Sequence, residues 1–471
     1  MPSWICCESG AACITDMRIL LIQAPLTGMD QPIYPAGLGY IAGALRGGDG
    51  THDIRVHDCN LPAHGTDLTD YRDFTPELVG ISLRNIDSQL ERDLVYYVPS
   101  FLKLVRHVRD IWPGTVIVLG GAGFSLFAEK LMQRAAEADA GVYLEGEEAI
   151  ARITAGEPFE AIPGLYYRRS GMLFNTIGAP RFAPFNRLPA CDWTTVNPTP
   201  YAASTWGVGI QTKRGCNLQC VYCTYSHLNG CRIRCRPPRE VVAEMELLHD
   251  RYGIGSIMFV DALFNNPAAH AEAIVRELLR RGLKMEWTAY FSEKPEWLSP
   301  TFMRQAVQSG CREFSFSPDG TTERTLRRLG KPIRFGDVKR VLRMVEQVPE
   351  ARISLGFFVN PPGNSYDAFL RLLGMFIRCK VGGRLRTRVG GFTLARPRIE
   401  PGTVMERIAL EEGFLAPDTE LLPERAADLK RLFYRNRKTW YADWFFRLYI
   451  AAWRLNRVFV NRRAVALEES P

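Results

Sequence analysis

Three cysteines fall within one short run, Lys213-Arg214-Gly215-Cys216-Asn217-Leu218-Gln219-Cys220-Val221-Tyr222-Cys223. Any fold that carries this run must gather three thiols on a single loop. Iron–sulfur clusters usually take four cysteines, so Cys216, Cys220 and Cys223 can hold three irons of a [4Fe–4S] cluster and leave the fourth open. An open metal position is where chemistry happens. Two other readings fit the same residues: a zinc site completed by His227 in Cys223-x-x-x-His227, and a set of unrelated buried thiols.

The surroundings of the run narrow the choice. From Val208 onward six apolar runs are expected as strands, at Val208–Thr212, Ile257–Val260, Met285–Tyr290, Glu313–Ser317, Ile353–Val359 and Gly391–Ala395. Helical spacing fits between them at Arg239–Arg251, Ala268–Arg281, Pro300–Ser309, Gly336–Val348 and Tyr366–Ile377. Six βα units make a partial barrel, and sites in such barrels sit at the carboxyl ends of the strands. The cysteine run directly follows the first of these strands, which places it at the mouth.

The first 150 residues alternate in the same way. Strands are expected at Arg18–Ile22, Ile54–Val56, Leu78–Ser82, Thr115–Leu119 and Val142–Leu144, with helices at Gly37–Leu45, Leu90–Ile111 and Leu126–Ala135. This predicts a doubly wound parallel sheet, whose ligands bind beyond the carboxyl ends of the strands. No Gly-x-Gly-x-x-Gly follows the first strand, which disfavours a simple nucleotide site. Prolines punctuate the stretch from Phe159 to Tyr201, and Leu165–Leu173 reads as a hairpin with a Ser-Gly turn. The expected organisation is an α/β chain: residues 1–16 an extension, 17–157 the doubly wound domain, 158–205 a linker with a hairpin, 206–415 the partial (β/α)6 barrel, and 416–471 a helical C-terminal cap.

The cysteine spacing, with Tyr222 just before the third cysteine, resembles the radical SAM superfamily. That resemblance implies that the open iron chelates S-adenosylmethionine (SAM), with Tyr222 near its adenine. Upstream, Pro35-Ala36-Gly37-Leu38-Gly39, Val79-Gly80-Ile81-Ser82-Leu83-Arg84-Asn85-Ile86-Asp87, Gly120-Gly121-Ala122-Gly123 and Glu145-Gly146-Glu147-Glu148 look like the cobalamin-binding domain of cobalamin-dependent radical SAM enzymes. The resemblance covers residues 17 to about 415. It implies cobalamin binding by Gly37, Ser82, Arg84, Asn85, Gly120, Gly121, Gly123, Glu145, Gly146 and Glu147. Glycines there let backbone approach a large ligand. One departure matters. Many cobalamin proteins place a cobalt-ligating histidine in Asp-x-His-x-x-Gly, whereas this chain has Asp58-Cys59-Asn60-Leu61-Pro62-Ala63. Arg84 stays protonated and cannot donate a lone pair, so under the corrin it would block the lower face rather than ligate it. The competing reading is an ion pair of Arg84 with Asp87 or Glu77.

Within the barrel, Asp261 and Asn265 follow the second strand and are candidates for SAM, as are Ser317 after the fourth strand and Asn360 and Gly363 after the fifth. Capping and turn formation explain the same residues equally well. Period two puts Glu286 and Tyr290 on one face of the third strand. If that face points inward, Glu286 approaches the open iron or substrate and Tyr290 accepts a proton.

Composition adds limits. The chain has 471 residues, a net charge of +8 and twelve cysteines. No apolar run is long enough to span a bilayer, and the first sixteen residues lack the pattern of a secretory signal. The cysteine content then argues for a reducing cytosol and for metal rather than disulfides. The aromatic, basic tail from Glu420 is expected to cap the barrel rather than lie on a membrane. The resemblance implies a methyltransferase that carries a methyl group from SAM through methylcobalamin to a carbon. It also implies a small-molecule substrate, an electron donor such as flavodoxin or ferredoxin, a cytoplasmic monomer, and no nucleic acid partner. A cyclase or rearrangement enzyme with the same cofactors, a cobalamin sensor without turnover and a zinc-binding nucleic-acid module are the rivals.

Overall fold

The computed structural model describes residues 16–26, 31–47, 52–180, 182–184, 190–203, 206–380 and 384–468, with residues 384 and 455–468 as backbone alone. The expected N-terminal extension, with Cys6, Cys7 and Cys13, lies outside the described residues.

The first domain is built on β1 (Arg18–Gln23), β2 (Asp53–Asp58), β3 (Leu78–Ser82), β4 (Val116–Gly120) and β5 (Ala140–Val142), followed by the hairpin β6 (Leu165–Arg169) and β7 (Met172–Asn175). The sheet order is β2-β1-β3-β4-β5-β6-β7. Strands β1 to β5 pair in parallel, and β6 and β7 are antiparallel. Central β1 is buried on both faces after Arg18, as a strand covered by helices on two sides must be. The hairpin expected in a linker instead extends this sheet. Its turn is carried by Ser170 and Gly171, both at positive φ (51° and 79°), the conformation that two-residue hairpin turns favour. The helix expected from Leu90 starts only at Val98, because Tyr96 first bridges back to Asp87 and Pro99 suits a first helical turn.

The second domain contains β8 (Gly209–Ile210), the small antiparallel pair β9 (Lys213–Arg214) and β10 (Arg234–Cys235), then β11 (Ser256–Phe259), β12 (Glu286–Phe291), β13 (Cys311–Asp319), β14 (Ile353–Phe358) and β15 (Val389–Ala395). Six of these form one parallel sheet in the order β15-β14-β13-β12-β11-β8. All six expected strands are present, and the sheet is open at β8 and β15, which is a partial barrel. Its floor is packed with Phe259, Phe264, Trp287, Phe291 and Phe314, all buried.

The C-terminal region does two jobs. Met405, Ile408, Leu422, Leu429, Leu432 and Tyr434 share a core with Phe101, Leu104 and Leu131 of the first domain. The last helix, Trp440–Glu468, lays Tyr441 and Phe445 against Phe369 of the helix Tyr366–Lys380. Buried charges tie the parts together: Arg398 meets Asp87 at 2.6 Å, and Arg396 bridges Glu91 at 2.6 Å and Asp443 at 2.7 Å. Among the described residues no helix is long and apolar enough to cross a membrane.

Candidate functional site

The cysteine loop is shaped by backbone contacts. Gly215 takes φ +90°, and a Cβ there would stand 2.1 Å from the Arg232 carbonyl oxygen. Only glycine allows so close an approach in that conformation. The Cys216 N–H then donates to the Gly230 carbonyl at 3.0 Å, and the Val221 N–H donates to the Leu329 carbonyl at 3.0 Å. Met405 N–H closes on the Val221 carbonyl at 2.9 Å. The loop thus lies at the carboxyl ends of β11 to β13. All three thiols line one cavity of about 150 Å³, together with Tyr222, Tyr290, Glu293, Ser317 and Lys331.

Charge in this cavity is organised around Lys331. Its ammonium lies 2.5 Å from Asp319 Oδ2 and donates to the Ser317 carbonyl at 2.7 Å. Burial works against its charge, but Asp319, Tyr222 and Cys220 outweigh that and hold it well above its ordinary range. Tyr222 donates its hydroxyl to Asp319, and its ring meets Phe358 edge-on at 4.9 Å. Asp319 sits at φ +65°, a conformation that costs a residue with a Cβ about 1–3 kcal/mol, and it does so where both partners are reached. Glu293 is 3% exposed, and its Oε1 has no hydrogen-bond partner among the described residues. Burial pushes its carboxyl up to about 7, with Lys331 pulling the other way. Burial also raises all three thiols, so bound metal is what would hold them as thiolates.

Several expected site residues are placed elsewhere. Asp261 is buried and accepts four hydrogen bonds: from Thr212 N at 2.8 Å, Thr212 Oγ1 at 2.5 Å, Lys213 N at 3.2 Å and Lys213 Nζ at 2.9 Å. A carboxylate has about four acceptor sites, so none is left for SAM. Asn265 is likewise spent: it donates to the Ser292 and Trp297 carbonyls at 2.9 and 3.1 Å and accepts from Ser292 N at 2.8 Å. Asn360 anchors the C-terminal cap through Asn364, Asn436, Thr439 and Asp443. Gly363 packs on Arg328 outside the cysteine cavity. Glu286 begins β12 at the far end from the mouth and pairs with Arg312 at 2.7 Å on the surface. Period two assigned its face but not its height along the strand. Tyr290, at the carboxyl end, does reach the cavity, as do Tyr222 and Ser317. Lys331 and Glu293 carried no expectation. The available signal for Glu293 was a carboxylate immediately beyond the carboxyl end of a barrel strand. The Asp261→Ala variant should lose about 3–5 kcal/mol of stability, because Lys213 is left charged and buried, and a denaturant melt checks this.

The first domain presents a second cavity, a slot of about 220 Å³ at the carboxyl ends of β1, β3 and β4. Gly37, Ser82, Gly120, Gly121, Glu145, Gly146 and Glu147 line it, joined by Gln211, Arg214, Leu228 and Asn229 of the second domain. A Cβ added at Gly37 or Gly120 would meet nothing within 4 Å. These two glycines border open space in the slot. Gly121 and Gly123 have a different reason. Their added Cβ atoms would stand 2.5 Å from the Leu83 carbonyl and 2.8 Å from Asn85 Cα, so they seat the Leu83–Asn85 loop rather than the ligand. Arg84, Asn85 and Gly123 do not line the slot. Glu145 and Glu147 line it but their charges are met across the domain boundary: Glu147 by Arg214 at 2.7 Å, Glu145 by Arg234 at 2.6 Å.

Among the described residues Arg84 makes no ion pair. Asp87 is taken by Arg398 and Glu77 by Arg18 at 3.7 Å. Asn60, at the place of the missing histidine, is locked in its turn, donating to Ala24 O at 3.2 Å and Asp58 Oδ1 at 2.6 Å and accepting from Leu26 N at 2.5 Å. The nearby His57 and His64 stack on each other at 5.0 Å and do not line the slot.

These features fit the two metal cofactors. Three thiols on one cavity suit a cluster, which spreads its thiolates over separate irons. Among the described residues no three His, Cys, Asp or Glu side chains converge as a single ion requires, and His227 Nε2 faces the Tyr143 hydroxyl at 3.1 Å. Comparison with known proteins agrees. Residues 210–376 match the radical SAM superfamily, and residues 26–154 match the B12 binding domain. An uncharacterized methyltransferase of Pyrococcus horikoshii is 26% identical over 335 residues, 67% of this chain and 68% of its own. The tryptophan 2-C-methyltransferase of Streptomyces laurentii is 26% identical over 307 residues, 53% of this chain and half of its own length. The solved radical SAM methyltransferase TsrM of Kitasatospora setae, with cobalamin and a [4Fe–4S] cluster bound, has the same fold: TM-score 0.70 at 21% identity, covering 90% of this chain and 86% of that one. The chain therefore joins a B12 binding domain to a radical SAM domain, the pair that takes cobalamin, SAM and a [4Fe–4S] cluster as cofactors.

Proposed function

We propose that the protein moves a methyl group from SAM, by way of cobalamin, to an electron-rich carbon of a small-molecule natural-product precursor, and that C2 of L-tryptophan is the first acceptor to try. The observation that carries this reading is a slot without a histidine: none lines it, Asn60 is held by its own turn, and among the described residues Arg84 has no carboxylate partner. Among the described residues that line the slot, no side-chain nitrogen offers a lone pair. When bound, cobalamin supplies the methyl carrier and the cluster supplies an iron that holds SAM. The chain's own residues do the rest. Cys216, Cys220 and Cys223 would hold the cluster, Gly37 and Gly120 would make room for cobalamin, and Arg84, which carries no free lone pair, would offer the metal no ligand. Tyr222 and Tyr290 wall the cavity at the mouth, where Lys331 and Asp319 fix their neighbours. The test is the electron paramagnetic spectrum of the protein's cob(II)alamin form. The reading expects no superhyperfine splitting from a protein nitrogen, and such splitting contradicts it.

The chemistry also calls for a one-electron donor, and an acidic one such as flavodoxin suits the surface. Arg324, Arg327, Arg435, Arg437 and Lys438 rim one cleft beside Glu412. Arg324 and Arg327 belong to the helix Glu323–Arg328, whose end at Leu329 bonds the cysteine loop. The double variant R324E/R327E should slow reduction by reduced flavodoxin about tenfold at low salt, while reduction by titanium(III) citrate stays unchanged. Equal rates with flavodoxin would place the donor elsewhere.

A further inference from the structure

The cap uses only part of the last helix. Trp440–Glu468 lies beside the helix Tyr366–Lys380, which connects β14 to β15. Toward the barrel the two helices bury Ala442 and Phe446, and Ala368, Leu372 and Met375. Against each other they set Phe369 on Tyr441 and Phe445, and Phe376 on Tyr449. A third side is left over, and it is apolar. Trp440, Trp444 and Leu448 recur every four residues on one helix, and Tyr366, Leu370 and Ile377 share a face of the other. All six are between 46% and 66% exposed. The two stripes join at Tyr441, whose ring lies 5.8 Å from Tyr366 and 6.1 Å from Trp440. Scattered exposed apolar residues need no explanation, but a gathered patch with a polar rim marks an interaction surface.

The rim here is basic. Arg447 holds its guanidinium over the Trp444 ring, 5.7 Å from its centre. Arg371 and Arg378 border the other stripe with side chains 52% and 55% exposed, and they approach Asp367 and Glu346 only to 3.9 and 3.8 Å. Exposed pairs of that length hold a charge loosely. Asp443 is drawn away from the face by Arg396. A second copy docked about a two-fold axis would set this basic face against itself. The anchors of a protein partner seat in pockets, and none of the six apolar residues lines a cavity described above. A bilayer surface needs no pocket. Its headgroup layer takes tryptophan rings and leucine at one depth and lets arginine heads reach the phosphates. We propose that this face lies on an anionic lipid bilayer, with Trp440, Trp444 and Leu448 in the headgroup boundary and Arg371, Arg378 and Arg447 on lipid phosphates. The chain then rests on the surface and sends no described helix across it.

The experiment sediments the reconstituted full chain with vesicles, either equimolar phosphatidylglycerol and phosphatidylcholine or phosphatidylcholine alone. The wild type should bind the anionic vesicles at low salt at least ~10-fold more tightly than the neutral ones, and high salt should release it. The double variant W444Q/L448Q should bind anionic vesicles at least ~10-fold more weakly, through lost apolar burial. Arg447→Glu should weaken binding to anionic vesicles about tenfold and leave the neutral ones unchanged. Iron and cobalamin content should stay at wild-type levels, since these positions line neither cofactor cavity. If W444Q/L448Q loses its cofactors, L370Q/I377Q on the other helix carries the same expectation. A wild type that stays in the supernatant with both lipids overturns the proposal. So does equal binding to both lipids, or undiminished binding by folded variants. A wild-type dimer in sedimentation equilibrium that W444Q/L448Q dissociates assigns the face to a second copy and overturns the lipid assignment. The readout needs no turnover, so it stands or falls apart from the methyltransferase reading.

Discussion

Replacing Cys216, Cys220 or Cys223 with alanine removes the cluster and with it methyl transfer. Iron content of the reconstituted protein is expected to fall from about four per chain to near zero, and the brown absorbance with it. Turnover should fall by well over ~10²-fold, beyond what loss of a mere supporting contact to a metal site costs. Cobalamin should still bind, because Gly37, Gly120 and most of the slot belong to the first domain. Cys231 gives the control. It is exposed and does not line the cysteine cavity, so Cys231→Ala should keep its iron. Iron that survives in the three loop variants, or disappears in Cys231→Ala, would mean that the ligand set is wrong. Cobalamin binding lost together with iron would mean that the two sites cannot be filled separately.

The second large effect is expected at Arg214. This residue closes β9 one position before the Gly215 turn, and its side chain is almost wholly buried. It reaches Glu147 at 2.7 Å and Glu145 at 3.4 Å and stacks on Tyr40 with 5.0 Å to the ring centre. Burial opposes its charge, and Glu147 and Glu145 outweigh that and raise it further. Arg214→Ala leaves Glu147 buried without its cation, which costs about 3–5 kcal/mol. The same side chain lines the cobalamin slot from the second domain. The variant should therefore melt earlier in denaturant and also bind cobalamin more weakly, by about tenfold or more, measured by equilibrium dialysis. Lysine at this position restores charge but not the fork that meets two carboxylates, so it should rescue only part of either loss. Unchanged stability would show that the pair is not closed in solution. Lost stability with normal cobalamin affinity would confine Arg214 to a structural role.

What could be read from the chain alone follows from what is local. The apolar run Arg18–Gln23 announces a strand because a parallel strand buried on both faces needs it, and Ile353–Phe358 buries every second residue fully. The cysteine run and its place after β8 are equally local. Alternation also indicates which face Glu286 and Tyr290 share, but not which end of β12 meets the cavity, and so only Tyr290 belongs to the site. Asp261 and Asn265 were read by their position after β11. Their lone pairs and donors turn out to be used by Thr212, Lys213, Ser292 and Trp297, which no spacing rule reveals. The same is true of Arg398 and Asp87, 311 residues apart, whose pairing takes up a carboxylate expected for Arg84. Glu145 and Glu147 looked like ligands of the first domain until the second domain supplied Arg214 and Arg234. Polar side chains near a mouth are assigned by their partners, and the partners are long-range.

The most direct test of the methyltransferase account is the fate of methyl-labelled SAM in a single incubation with reconstituted protein, reductant and L-tryptophan. Label in the acceptor, one S-adenosylhomocysteine per methyl transferred and no matching 5′-deoxyadenosine are expected if the methyl group moves as a cation over a cobalt without a lower protein ligand. Formation of 5′-deoxyadenosine while the methyl groups of SAM go unused would contradict it and point to cyclisation or rearrangement instead.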